Sequence, residues 1–181
     1  VSFGVGGGSI IRLDSEGEIT VGPDSQGAVP GPAAFGLGGF EVTPTDVWLT
    51  LGYLSPTEYL GGRKTLEADK AQEVIQKKLA EPMNTDSIRA ALLAKEAIEQ
   101  ELGRQISDQV PLPEGVSLQG ATLYAFGGGA GLLAAGLAKK LKLPQVYIPA
   151  FGAVFLALGP LIGGFFSAII SWHYLFWLNI P

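Results

Sequence analysis

The sequence predicts an α/β protein with a β-hairpin, a packed helix pair and a terminal βαβ unit arranged on a mixed sheet. Three observations predict it. Ile10–Leu13 and Glu18–Val21 flank the turn-forming tetrapeptide Asp14-Ser15-Glu16-Gly17, the pattern of a hairpin. Apolar residues then recur at helical spacing over two stretches on either side of Pro82. Finally, an apolar strand pattern at Ala121–Phe126 runs into glycines, a helical pattern and a second strand pattern, which implies parallel pairing through a right-handed crossover. With 47% hydrophobic residues the chain holds enough apolar surface to fold, and at 181 residues it has room for one domain or a little more.

The elements follow in order. Residues 3–13 read as a glycine-interrupted strand that enters the hairpin. Residues 22–45 are dominated by Gly, Pro and Ala, and so long an irregular stretch is more often functional than a plain connector. Thr45 is expected to cap a short helix through Asp46 to Leu51. Ser55-Pro56-Thr57-Glu58 has capping spacing for another, with Pro at the first helical position. A helix over 67–80 places Ala71, Val74, Ile75 and Leu79 on one apolar stripe, and Pro82 stops it. A second, over 86–106, carries Ile88, Leu92, Ile98, Leu102 and Ile106 at helical spacing, with Glu96, Glu99, Gln100 and Glu101 on a solvated face. A last helix over 132–141 ends before Pro144, ahead of a strand at Gln145–Ile148.

Composition excludes several chemistries. The formal net charge of -5 argues against nucleic-acid binding. There is no cysteine, hence no disulfide, thiolate zinc site or cysteine nucleophile, and the one histidine, His173, forms no cluster. Chemistry is left to backbone amides, carboxylates, hydroxyls, Lys and Arg.

Two glycine runs stand out, Gly6-Gly7-Gly8-Ser9 and Gly127-Gly128-Gly129-Ala130-Gly131. Glycine lets a backbone approach a ligand closely, and successive amide N–H groups make an anion site, strengthened by a helix N-terminus. The second run has that context; the first offers amides and the Ser9 hydroxyl. Neither has the spacing of a P-loop. Tight packing of a turn is the alternative for both. Thr43, Thr45 and Asp46 form a compact hydroxyl–carboxylate group. Asp46 is the candidate catalytic carboxylate, holding Mg²⁺ through water or orienting an attacking group; helix capping is the alternative. Arg63 and Lys64 follow Gly61-Gly62 and are either phosphate neutralisers or a solvated pair.

The chain opens on Val1 directly into a glycine run, which suggests a piece of a longer protein with no secretory signal in view. No charge occurs after Lys142, and Leu161–Ile180 is a 20-residue segment free of Pro and charge. It has the length of a membrane span, with a buried element or an aberrant end as the other readings.

Gly6-Gly7-Gly8-Ser9-Ile10, then Val21-Gly22-Pro23-Asp24-Ser25-Gln26-Gly27-Ala28 and Pro30-Gly31-Pro32-Ala33, resemble the hydantoinase A family. Thr45-Asp46, Leu51-Gly52-Tyr53-Leu54, Tyr59-Leu60-Gly61-Gly62 and Ala125-Phe126-Gly127-Gly128 extend the likeness over residues 1–159. The family includes 5-oxoprolinase, N-methylhydantoinase and subunits of acetone and acetophenone carboxylases. The resemblance implies one lobe of an actin/Hsp70/sugar-kinase-like fold that binds ATP with Mg²⁺. Gly6, Gly7, Gly8 and Ser9 would form its second phosphate loop; Gly127, Gly128, Gly129 and Ala130 would form the turn beside the adenosine. The implied reaction is phosphorylation of a carbonyl or enolate oxygen, for cyclic-amide hydrolysis or ketone carboxylation in the cytoplasm. The implied partners are a first lobe bearing Asp-x-Gly-Gly-Thr, absent from this sequence, and a hydantoinase B-like subunit. A noncatalytic assembly module and a membrane-anchored protein are the alternatives. Beyond residue 159 the resemblance ends, leaving residues 160–181 as an apolar tail.

Overall fold

The computed structural model describes residues 4–110 and 118–149. Strand β1 (Ser9–Leu13) pairs antiparallel with β2 (Ile19–Ser25), with Ile11 opposite Val21 and Leu13 opposite Ile19. The expected turn forms because Asp14 closes it. Its carboxylate accepts from the N–H groups of Glu16 and Glu18 at 2.8 and 2.9 Å, and Gly17 takes the positive φ of 86° that the reversal needs. Alternation along β1 buries Ser9 and Ile11, while Arg12 points outward to Asp24 and Glu41.

Helix α1 (Pro44–Thr50) starts two residues earlier than expected, and its cap is Thr43. Pro44 supplies the physical reason. It fixes the first helical φ without needing a partner for an N–H, and it drives the preceding residue into extended backbone. Thr43 accordingly sits at φ -129° and ψ 162°. The segment 55–58 forms turns, not a helix; Leu66 N–H closes back on the Pro56 carbonyl at 2.8 Å.

Helix α2 (Ala68–Ile75) runs into a π-helical turn at Gln76–Ala80, and the predicted stripe of Ala71, Val74, Ile75 and Leu79 is buried. Helix α3 (Ser87–Gln109) is capped by Asp86. Of its expected stripe, Ile98 is buried and Leu102 and Ile106 pack against the core, but the N-terminal half is rotated. Ala90, Ala91, Ala94 and Ile98 face the core, whereas Ile88 and Leu92 are exposed. Small side chains let α3 lie close to α1, α4 and β2, and this close approach outweighs the larger residues one position away. Glu99 is also buried, paired with Lys95, so it does not belong to the solvated face.

The βαβ unit is present as expected: β3 (Thr122–Tyr124), α4 (Ala130–Lys140) and β4 (Gln145–Tyr147), the strands parallel with Tyr124 opposite Tyr147. Among the described residues the antiparallel and parallel pairs stay separate two-stranded sheets, not one mixed sheet. A main core of Ile11, Val42, Val47, Trp48, Ile75, Leu79, Ile98 and Leu133 joins hairpin, helices and βαβ unit. No helix among the described residues is long and apolar enough to cross a membrane; the apolar segment 161–180 lies outside them.

On the outer face of α3, hydrogen bonding from Arg104 holds the Glu101 carboxyl below its ordinary value of 4.5. A lowered carboxylate contributes stability above its ordinary value and loses it as pH falls through the lowered one. Glu101→Gln is expected to flatten the acid limb of the unfolding curve, measured by circular dichroism, with little change at neutral pH.

Candidate functional site

The two glycine runs come from opposite ends of the described chain and meet at one place. Gly6 and Gly7 share a cavity of about 390 Å³ with Gly127, Gly128, Gly129 and Ala130, floored by Trp48, Leu123 and Leu133. Gly7, Gly128 and Gly129 also line an adjoining cleft of about 540 Å³ with Thr45, Trp48, Tyr53, Glu58 and Tyr59.

Local chemistry fixes the first run. The Ser9 hydroxyl accepts from Gly6 N–H at 2.9 Å, and Ser9 N–H donates back to the Gly6 carbonyl at 3.1 Å, closing the turn. The Gly7 carbonyl accepts twice from the start of α1, from Thr45 N–H at 3.1 Å and the Thr45 hydroxyl at 2.8 Å. Gly8 turns toward the hairpin, where its carbonyl accepts from Ser25 and Gln26. Gly8 and Ser9 therefore line neither cavity; the Ser9 hydroxyl shapes the loop.

The second run leaves β3 through Gly127, at φ 97°, and ends where α4 begins. Helices α1 and α3 have side-chain caps at Thr43 and Asp86, but α4 has none and carries no acid in its first turn. Leu132 N–H donates to the Gly129 carbonyl at 3.2 Å, and the two N–H groups before it, of Ala130 and Gly131, are left to water or to an anion. A Cβ on Gly128 or Gly6 would find no protein atom within 4 Å, so both positions open onto free space. This cradle fits a phosphate chain held by main-chain donors. The linings contain one charged side chain, Glu58, and no Lys or Arg. Lys64 lies over the Phe35 ring at 3.7 Å, which ties it to the aromatic cluster instead of the cleft. No group of three or more His, Cys, Asp or Glu that could hold a metal occurs among the described residues, and the two linings offer Mg²⁺ a single carboxylate, Glu58.

Asp46 is fully buried and lines neither cavity. One carboxylate oxygen accepts from Ala34 N–H at 2.8 Å, the other from Thr43 N–H at 3.0 Å and the Thr43 hydroxyl at 2.7 Å. Burial raises its pKa above 3.8, opposed by these hydrogen bonds. Of its two sequence-level roles, the geometry gives Asp46 the capping one. It ties α1 to the 33–35 turn, with neither oxygen directed at the glycine loops. Sequence reasoning missed Trp48. The signal was its spacing of three from Thr45, which puts both residues on one face of α1.

A family model described as hydantoinase/oxoprolinase matches residues 1–165. The acetophenone carboxylase gamma subunit of Aromatoleum aromaticum is 38% identical over 160 residues, 88% of this chain and 21% of that protein. The caprolactamase subunit alpha of Pseudomonas jessenii is 36% identical over 161 residues, 89% of this chain and 23% of the relative. Among solved structures, nucleotide-free acetone carboxylase superposes with a TM-score of 0.75 at 30% identity, covering 86% of this chain and 22% of the other. The ATP-dependent caprolactamase from Pseudomonas jessenii gives 0.74 at 37% identity, covering 85% and 23%. The chain spans about a fifth of the length of these relatives. The match runs through both glycine runs, with the strand β1 that follows the first and the helix α4 that follows the second, and on it the chain belongs to the hydantoinase/oxoprolinase family.

Proposed function

We propose that this chain is one lobe of an actin-like ATP-binding unit in an enzyme acting on a cyclic amide or a ketone. The observation that carries the proposal is the meeting of two glycine loops at one cleft beside the uncapped N-terminus of α4. One structural relative, acetone carboxylase, carries out ATP-dependent acetone carboxylation, and another is an ATP-dependent caprolactamase. Together they span ketone and cyclic-amide chemistry.

Bound ATP would supply a phosphoryl group to a carbonyl or enolate oxygen, making a ring amide hydrolysable or a ketone reactive toward activated CO₂. The residues of this lobe bind and orient. Gly6 and Gly7 present main chain from one side, and Gly127–Ala130 from the other, where the α4 dipole favours negative charge. Thr45 keeps the Gly7 carbonyl turned away from the anion by holding it with two hydrogen bonds. With no Lys or Arg in the lining, the remaining neutralisation would come from outside this chain, from a first lobe with Asp-x-Gly-Gly-Thr and from Mg²⁺. A hydantoinase B-like partner subunit would complete the substrate site, and the cytoplasm would supply ATP.

The test is Gly128→Val in the complete protein, with ATP affinity read by calorimetric titration. The new side chain enters open space, so the melting temperature should hold while ATP binding weakens about tenfold or more through lost backbone approach. Unchanged affinity would overturn the assignment of this loop.

A further inference from the structure

We infer that Trp48 is a positioning residue, a spacer on α1 that sets the separation of the two glycine loops. The inference rests on the nucleotide reading for its consequence and on packing for its substance. The Trp48 side chain belongs to the lining of both cavities. A Cβ on Gly7 would lie 4.0 Å from its Cζ3, and one on Gly129 would lie 3.8 Å from its Cη2. The distal edge of the indole is therefore in reach of both loops. One turn earlier on the same helix, Thr45 grips the Gly7 carbonyl. The helix itself is anchored by the Thr43–Asp46 capping box. One short rigid element thus holds the first loop by hydrogen bonds and meets the second through a ring.

Trp48 is buried and its Nε1–H has no hydrogen-bond partner among the described residues, an arrangement that costs free energy. A phenylalanine would fill much of the same core without an unpaired donor. What tryptophan adds is reach, through the very edge that lies by Gly7 and Gly129. A shorter ring leaves a gap that lets the loops relax together, and a polyphosphate held by both would then meet displaced donors.

Trp48→Phe in the complete protein tests this against Val47→Ala, a fully buried neighbour on α1 that lines neither cavity. Two readouts are needed. Hydrogen exchange, without nucleotide, should rise at residues 6–9 and 127–131 in Trp48→Phe and stay unchanged there in Val47→Ala at matched loss of stability. ATP Kd should rise about tenfold in Trp48→Phe, as expected for donors displaced by a fraction of an ångström, and hold in Val47→Ala. Unchanged exchange in Trp48→Phe, or equal effects of both substitutions, would overturn the spacer. Wild-type protein that fails to bind ATP while Trp48→Phe still loosens both loops would overturn the nucleotide reading and leave the spacer standing.

Discussion

Asp46→Ala is expected to destabilise the fold by about 3 kcal/mol, because orphaning a buried donor costs roughly 1–3 kcal/mol. Three donors converge on that carboxylate, Ala34 N–H, Thr43 N–H and the Thr43 hydroxyl. Alanine would leave all three facing apolar surroundings and would dissolve the capping box of α1. Urea unfolding checks the loss. Activity measured where the variant remains folded should follow the folded fraction. A fall in turnover far beyond the fall in stability would instead restore Asp46 to the chemistry. Asp46→Asn, which keeps one acceptor, should lie between wild type and alanine. The pH dependence has a definite sign. Burial raises the folded pKa above 3.8, so the folded chain binds this proton more tightly than the unfolded one. The contribution of Asp46 is greatest in acid and declines as pH climbs from the ordinary carboxylate value through the raised one. Asp46→Asn removes that slope.

Gly136→Val is the second large effect, expected at about 3 kcal/mol, the upper range for overpacking a filled core. Gly136 on α4 faces Glu99 of α3, and any Cβ there would overlap the Glu99 carboxylate. That carboxylate is buried and paired with Lys95, so it cannot move aside without leaving an ion pair broken. One turn further along both helices, a Cβ on Gly103 of α3 would lie 3.5 Å from the Cβ of Lys140 of α4, an ordinary contact. The notch is therefore at Gly136. Glu99→Ala should therefore rescue much of the Gly136→Val loss in urea unfolding. Purely additive losses would show that the two positions do not share this contact.

Much of the architecture was legible because it rests on local rules. The hairpin follows from Asp14 and Gly17, the βαβ unit from strand, glycine turn and helix in succession, and α2 from its apolar stripe. The cap of α1 was also legible. Thr43-Pro44-Thr45-Asp46 is a capping box with proline at the first helical position, and giving the cap to Thr45 overlooked what Pro44 does to the residue before it. The first half of helix α3 was misread for a different reason, while Ile98, Leu102 and Ile106 pack inward as expected. Periodicity favoured the large residues Ile88 and Leu92, but close packing against α1 and α4 selected the alanines and buried Glu99.

The sequence by itself determined the hairpin, the helix pair and the βαβ unit, and which two runs of glycine break them, since these depend on φ/ψ preferences and hydrogen bonds within a few residues. Only the tertiary structure decided that Gly7 and Gly129 lie across one cleft, that Trp48 stands between them, and that Asp46 spends its charge on Thr43 and Ala34. Those relations join residues far apart along the chain through side-chain packing, and no local preference encodes a distance between them.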